Sequence, residues 1–232
     1  MSYELLVISL KWLPPVFFGI VFATAVFLYL SRHRLNVMGY PARDRSVSGG
    51  KSLIVGSIMF RFFYAFLLTV SQYYVWSQDK FTQILLNSSL VQTIPISGIF
   101  NKICQLPLVN CQKFGYFLFY SYGRFWLNAL ISVAVAFVFY LFLKSLQKHQ
   151  ARFFEEGEAE LGFLSALIVG WPNFVVFLSL VFILVILISI FRRVFLKQFY
   201  TTLGWPFILA AFASLVLGSN LIAILGLGVL YI

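Results

Sequence analysis

The chain is predicted to be all-α: a polytopic helical membrane protein with about six transmembrane helices, forming a single integral membrane domain over residues 1–232. Two observations carry this prediction. Of the 232 residues, 61% are hydrophobic and only 10% are charged, and the mean hydropathy is +0.93. No water-soluble core needs that much apolar surface. The apolar residues also fall in runs that approach or exceed the ~20 residues required to cross the hydrocarbon layer of a bilayer. The 28 phenylalanines supply lipid-facing and interfacial surface.

Residues 12–30 form the first expected span, with Pro14 and Pro15 near its start, where proline disturbs a helix least. Residues 53–75 form the second, and residues 114–143 the third, which at thirty residues is longer than one perpendicular crossing needs. Tyr122-Gly123-Arg124 interrupts that third run. Residues 161–170 make a short arm, Gly170-Trp171-Pro172-Asn173 reads as a turn, and residues 174–191 return. The last apolar region, residues 203–232, is long enough for one crossing or two, with Gly218-Ser219-Asn220 as a potential break.

The formal net charge of +10 does not point to nucleic acid, because the basic residues are spread among the loops between spans. Eleven of the 17 Lys/Arg residues fall within residues 32–51, 144–160 and 192–203. Cytoplasmic loops carry such an excess, so these stretches are expected inside and the N-terminus outside. His33 and His149 lie among those basic residues, where a solvated imidazole is the natural reading. Residues 77–113 become a long outer connection containing Cys104 and Cys111, which have no metal-ligand spacing and suit a disulfide if that face is oxidising. Asn87-Ser88-Ser89 in the same stretch matches the short glycosylation acceptor pattern. The N-terminus lacks the charged region and cleavage site of a removable signal, so the first span is expected to be retained. Nothing implies a metal or another cofactor.

Two groups of residues invite a chemical reading. Arg61 lies inside the second span, where a charged side chain costs roughly 2.5–3.5 kcal/mol on insertion scales unless it faces a partner, a wet cavity or a lipid phosphate. Tyr64, at i+3, shares its helix face, and Arg124 falls at or within the outer boundary of the third span. The second group is acidic. Glu155, Glu156, Glu158 and Glu160 are four of the seven acidic residues in the chain, set against the start of an apolar segment. A solvated cytoplasmic turn and a membrane-embedded acidic site, or its relic, are both open readings of that cluster.

Two families resemble different parts of the chain. Residues 1–143 resemble prolipoprotein diacylglyceryl transferase, a bacterial inner-membrane enzyme. The resemblance rests on the RHR ending of the first span, the loop segment GYPARD, the helix GSIMFRFFYAFL with Arg61 and Tyr64, and GRFWLN with Gly123, Arg124 and Asn128. It implies transfer of diacylglyceryl from phosphatidylglycerol to a lipoprotein cysteine, with Arg61 and Arg124 as catalytic groups and Tyr64 and Asn128 binding substrate. The family's intramembrane histidine has no counterpart here. Residues 144–232, a helical hairpin and last span, are similar to the membrane domain of type IV prepilin peptidases, aspartyl proteases with a GxGD motif. Glu155-Glu156-Gly157-Glu158 stands in the motif's place, followed by ELGFLSALIVGWPN and Trp205-Pro206-Phe207. The catalytic aspartates are missing, so Glu158 marks an alternative acidic site without a second carboxylate to share a proton. Expected partners are therefore a phosphatidylglycerol-like phospholipid and a lipoprotein or pilin-like signal segment, and the alternatives are an inactive prepilin-peptidase-like protein binding a partner helix, or a membrane scaffold.

The charge pattern generates a direct test. Cysteine labelling on intact cells under reducing conditions should reach Cys104 and Cys111 from outside. Labelling of Cys104 only after permeabilisation would invert the orientation.

Overall fold

Residues 3–37, 45–87, 111–149, 157–195 and 203–226 are described in a computed structural model of the chain, and among them every regular element is helical. Helix α1 runs Tyr3–Val37, α2 Arg45–Gln78, α3 Lys80–Asn87 and α4 Cys111–Ser121. A π-helical turn, Tyr122–Trp126, joins α4 to α5, Leu127–His149. Helices α6 (Glu158–Val169), α7 (Phe174–Phe195) and α8 (Gly204–Ile224) complete the order. Five stretches are long and apolar enough to cross a bilayer: Ile8–Ser31, Gly50–Gln78, Gly115–His149, Phe174–Phe195 and Gly204–Ile224. With the short α6 between α5 and α7, these form an all-α polytopic membrane protein.

Hydrocarbon leaves a backbone amide no solvent partner, so each span closes its own hydrogen bonds as a helix. Hydroxyls inside the spans follow the same rule. Thr24 Oγ1 donates to Ile20 O at 2.9 Å, Ser57 Oγ to Leu53 O at 2.8 Å, and Ser179 Oγ to Val175 O at 3.1 Å. Each satisfies a polar atom within its own helix.

The chain divides into two compact units, one formed by Met1–Phe60 and Ile131–Tyr231, the other by Arg61–Leu130. In the first, α6 is the buried element. Its twelve residues span only ~18 Å at 1.5 Å per residue, and all except Glu160 are buried. Phe139 of α5, Phe177 of α7 and Phe207 of α8 pack around one another, with Phe139 meeting the other two rings edge-on at 6.0 and 6.1 Å. Small residues allow close approach: Ala136, Ala159, Ala166, Ala210 and Ala211 are almost fully buried. On the α1 side, Leu161, Leu164 and Ile168 pack with Phe18, Val21 and Ala25. Between lipid-embedded helices, van der Waals contact and small residues take over from the hydrophobic effect as the packing force.

Three boundaries differ from expectation. Pro14 and Pro15 lie well inside α1, because the helix already begins at Tyr3. Helix α6 starts at Glu158, so the last two acidic residues are helical. Helix α8 passes unbroken through Gly218-Ser219-Asn220. A Cβ at Gly218 would lie 3.0 Å from the Asn173 side chain, so this glycine is a contact point for the turn after α6 rather than a break. That turn needs glycine at its start, where Gly170 has φ 65°, and Trp171 N–H donates to Ser132 Oγ of α5 at 3.0 Å.

In the second unit, α2 beyond Arg61 pairs with α4, the π turn and the start of α5. Trp76, Leu86 and Phe117 form its small core. Trp126 Nε1–H donates to Thr69 Oγ1 at 3.1 Å, and the Trp126 ring lies 6.3 Å from that of Phe62. Trp76 meets Tyr120 at 5.1 Å and Tyr116 at 6.2 Å. Later residues of α2 thus meet earlier residues of the partner, which is antiparallel pairing.

The tightness of α6 can be measured. A Cβ at Gly162 would lie 2.5 Å from Leu143 Cδ1 and 3.1 Å from Phe207 Cε2. Gly162→Val should therefore cost about 1–3 kcal/mol by overpacking, read as a lower thermal midpoint in detergent. Gly56→Ala, where the added Cβ meets nothing within 4 Å, should leave the midpoint unchanged or raise it. Equal midpoints for Gly162→Val and wild type would refute the close packing.

Candidate functional site

The acidic cluster separates into residues with different structural roles. Glu155 and Glu156 lie outside the described residues, so that half of the cluster has no structural account. Glu160 pairs with Lys144 of α5 at 3.1 Å, and Lys144 also donates to Gln147 Oε1 at 3.2 Å. Both ionic partners are partly solvated, which limits such a pair to about 0–1 kcal/mol.

Glu158 is fully buried. It opens α6 directly after Gly157, whose φ of 91° lies in the left-handed region. Its carboxylate reaches the start of another helix, where Gly204 N–H donates to Oε1 at 2.7 Å and Leu203 N–H to Oε2 at 3.3 Å. Tyr29 of α1 donates its hydroxyl to Oε1 at 3.4 Å. A helix N-terminus carries unpaired amides and partial positive charge, so it is a natural seat for an anion. Pro206 in the first turn of α8 has no amide to satisfy. Glu158 therefore holds α8 as an internal cap, linking α1, α6 and α8 through one carboxyl group. Gly204 is required beside it, because a Cβ there would collide with the Tyr29 phenol.

The basic candidates lie in the second unit. Arg61 and Tyr64 belong to α2 and are partly buried, while Arg124 and Asn128 belong to the π turn and α5 and are exposed. Arg61, Ala65 and Thr69 follow one another at i+4 along α2, a spacing that keeps side chains on neighbouring faces. Ala65 is only 2% exposed and Thr69 bonds Trp126, so this row includes the face packed on the partner helix. The antiparallel pairing places Tyr64 and Asn128 at similar depth. Arg61 is one turn from Tyr64, and Arg124 is one turn from Asn128 on the opposite side of that level. The four residues thus fall within about 10 Å along the helix axes, at 1.5 Å per residue.

Arg124 occupies the interruption expected at Tyr122-Gly123-Arg124, which takes the form of a π turn. Leu127 N–H donates to Tyr122 O, five residues back, the pattern of a π-helix, often found where a helix is adapted to function. The Arg124 guanidinium lies 5.8 Å from the centre of the Tyr120 ring, within cation–π range. Ser121 Oγ, just before the turn, is buried and finds no hydrogen-bond partner among the described residues.

Sequence reasoning missed Tyr29, Leu203, Gly204, Thr69, Trp126 and Tyr120. Proline in the first turn of α8 was the one legible sign of that helix start. Nothing in the chain order announced that residue 158 would serve it. Cys104, and with it the expected Cys104–Cys111 disulfide, lies outside the described residues, as does most of the outer connection. Among the described residues no group of three or more His, Cys, Asp or Glu side chains could hold a metal ion.

Substitution at Glu158 separates a structural cap from a dispensable charge. Glu158→Ala would strand amides at the root of α8, at about 1–3 kcal/mol for a buried unsatisfied group, and should lower the thermal midpoint clearly. Glu158→Gln keeps one acceptor oxygen and should lie between that variant and wild type. A wild-type midpoint for Glu158→Ala would remove the capping role.

No protein-family model, curated protein or solved structure matches the chain. The membrane fold thus stands on the helices themselves.

Proposed function

We propose that this membrane protein binds the phosphate of a phosphatidylglycerol-like phospholipid through Arg61 and Arg124, with Tyr64 and Asn128 orienting the headgroup. The observation that supports the reading is the antiparallel register of α2 against the π turn and α5, fixed by the Trp126–Thr69 hydrogen bond. It brings four side chains able to donate hydrogen bonds into one band of two neighbouring helices. A guanidinium can grip two phosphate oxygens at once, and such a contact strengthens where water is excluded. Arg124 is exposed within a membrane-crossing stretch, where a lipid phosphate is an accessible counter-charge.

The finer reading is a bacterial inner-membrane diacylglyceryl transferase with its N-terminus outside, acting on a lipoprotein signal segment. In that reaction a cysteine sulfur bonds to the diacylglyceryl carbon as the carbon–oxygen bond to phosphate breaks. The thiol proton passes to a base, and the headgroup leaves with its phosphate. Arginines at the phosphate would stabilise the charge that develops on the departing oxygen. The chain's four candidates serve the phosphate side of this chemistry.

Glu158 favours a second reading for the C-terminal part: a prepilin-peptidase-like protein that binds a partner helix without cleaving it. A carboxylate engaged with the Leu203 and Gly204 amides suits a scaffold better than the activation of water.

Lipid mass spectrometry of protein purified in mild detergent tests the main reading. Wild type should retain phosphatidylglycerol. Arg61→Lys and Arg124→Lys should each retain several-fold less, because a point charge cannot reproduce the two-pronged guanidinium contact. Equal lipid retention by both variants and wild type would rule the site out.

A further inference from the structure

Helix α3 (Lys80–Asn87) is a short element whose exposed side is apolar. Phe81 and Ile84 are 75% and 67% exposed, although both are large hydrophobic side chains. They stand three residues apart, on one face of the helix. Lys80 and Gln83 are also exposed and form the adjoining polar face. Leu86 is buried, and Leu85 packs with it against the core of Trp76 and Phe117. Three kinds of surface therefore alternate around one helix: packed, apolar and exposed, polar and exposed.

The helix is fastened to the end of a membrane-crossing stretch. That stretch ends at Gln78, and Asp79 turns the chain by accepting the Phe81 N–H at 3.3 Å. Thr82 Oγ1 then donates to Trp76 O at 3.0 Å, and Gln83 Nε2 to Ser77 O at 2.7 Å. These bonds satisfy carbonyls in the last turn of α2, which otherwise lack intrahelical partners. They also hold α3 at a set position beside that turn.

Around the same level lie Tyr73, Trp76, Tyr116 and Tyr120. Tyrosine and tryptophan concentrate where acyl chains meet headgroups. Tyr73 and Tyr74 are 41% and 54% exposed, so the lipid-facing surface of α2 continues up to the start of α3.

We infer that α3 is an in-plane membrane helix that inserts Phe81 and Ile84 into the boundary between headgroups and acyl chains, with Lys80 and Gln83 toward water and lipid phosphates. The partner of this face is the bilayer itself. An amphipathic helix in this position buries its apolar side to a depth of roughly 5–10 Å. Its attachment to Trp76 and Ser77 then sets the height at which α2 stands in the membrane. The inference is independent of the phosphate site.

The test uses full-length protein in vesicles of phosphatidylcholine and phosphatidylglycerol, in a Cys104→Ser, Cys111→Ser background. Single nitroxide labels are placed by Lys80→Cys, Phe81→Cys, Gln83→Cys and Ile84→Cys, with Phe182→Cys on the exposed face of α7 as a lipid-facing reference. All four positions on α3 are exposed; Gln83→Cys gives up the bond to Ser77 O, while the Thr82 bond to Trp76 O and the packing of Leu85 and Leu86 hold the helix in place. Labels at 81 and 84 should be relaxed several-fold more by oxygen than by a water-soluble nickel chelate, as at 182. Labels at 80 and 83 should show the opposite ratio. Two results overturn the inference: nickel access at 81 and 84 equal to that at 80 and 83, which puts the face in water, or shielding of 81 and 84 from both relaxers, which puts a protein surface over it.

Discussion

A helix that begins against other helices in a membrane must find partners for its first amides without water, and α8 finds them in Glu158. The carboxylate accepts from Leu203 and Gly204 while forming part of the first turn of α6. Much of the first unit's geometry depends on this contact. Gly204 has to be glycine because Tyr29 lies against its α-carbon. Phe207, one turn further on, then falls beside Gly162 and Phe139. A carboxyl group ordinarily costly to bury thus meets the N-terminus of α8, whose dipole favours an anion.

Helix α6 is short because of where it lies. A lipid-facing helix needs the full hydrocarbon thickness to bring its ends to polar headgroups. A helix enclosed by α1, α5 and α8 can instead end inside the protein, provided that its terminal groups are satisfied there. At the start, Leu161 N–H closes on Gly157 O at 2.9 Å. At the far end Gly170 N–H donates to Ala166 O at 3.0 Å, and Trp171 N–H takes the Ser132 hydroxyl. Nearly uniform burial also removes the need for a polar face. The run from Leu161 to Val169 therefore shows little alternation in sequence, although its two ends are chemically specific.

The all-α membrane fold was legible because it depends on quantities summed over long runs. Lipid-facing surface must be apolar at nearly every position, and no local ambiguity hides that. The site was less legible because its geometry comes from pairs far apart in the chain: Tyr29 with Glu158, Glu158 with Gly204, Thr69 with Trp126. Periodicity reports which face of one helix is apolar, but not which residue of another helix arrives there. Gly218 shows the same limit. Glycine beside serine and asparagine suggests a break in solvent, yet in a packed helix the missing side chain makes room for Asn173. Tyr122-Gly123-Arg124 was readable as an interruption, and the extra residue was accommodated as a π turn because a membrane span cannot open its backbone to lipid.

That π turn bears directly on how a cation is tolerated in the third span. A π turn widens the helix locally by one residue, so side chains after it rotate relative to those before it. Tyr120 and Phe117 precede the turn and join the aromatic core with Trp76; Trp126, Leu127 and Asn128 belong to the register that follows. Arg124 sits between the two registers. Its guanidinium lies within cation–π range of the Tyr120 ring, a contact that favours the cation without neutralising it. Its hydrogen-bonding edge can meanwhile serve an oxygen-rich anion such as a phosphate. Arg61 differs in being partly buried, one turn before the buried Ala65 on the same row of α2.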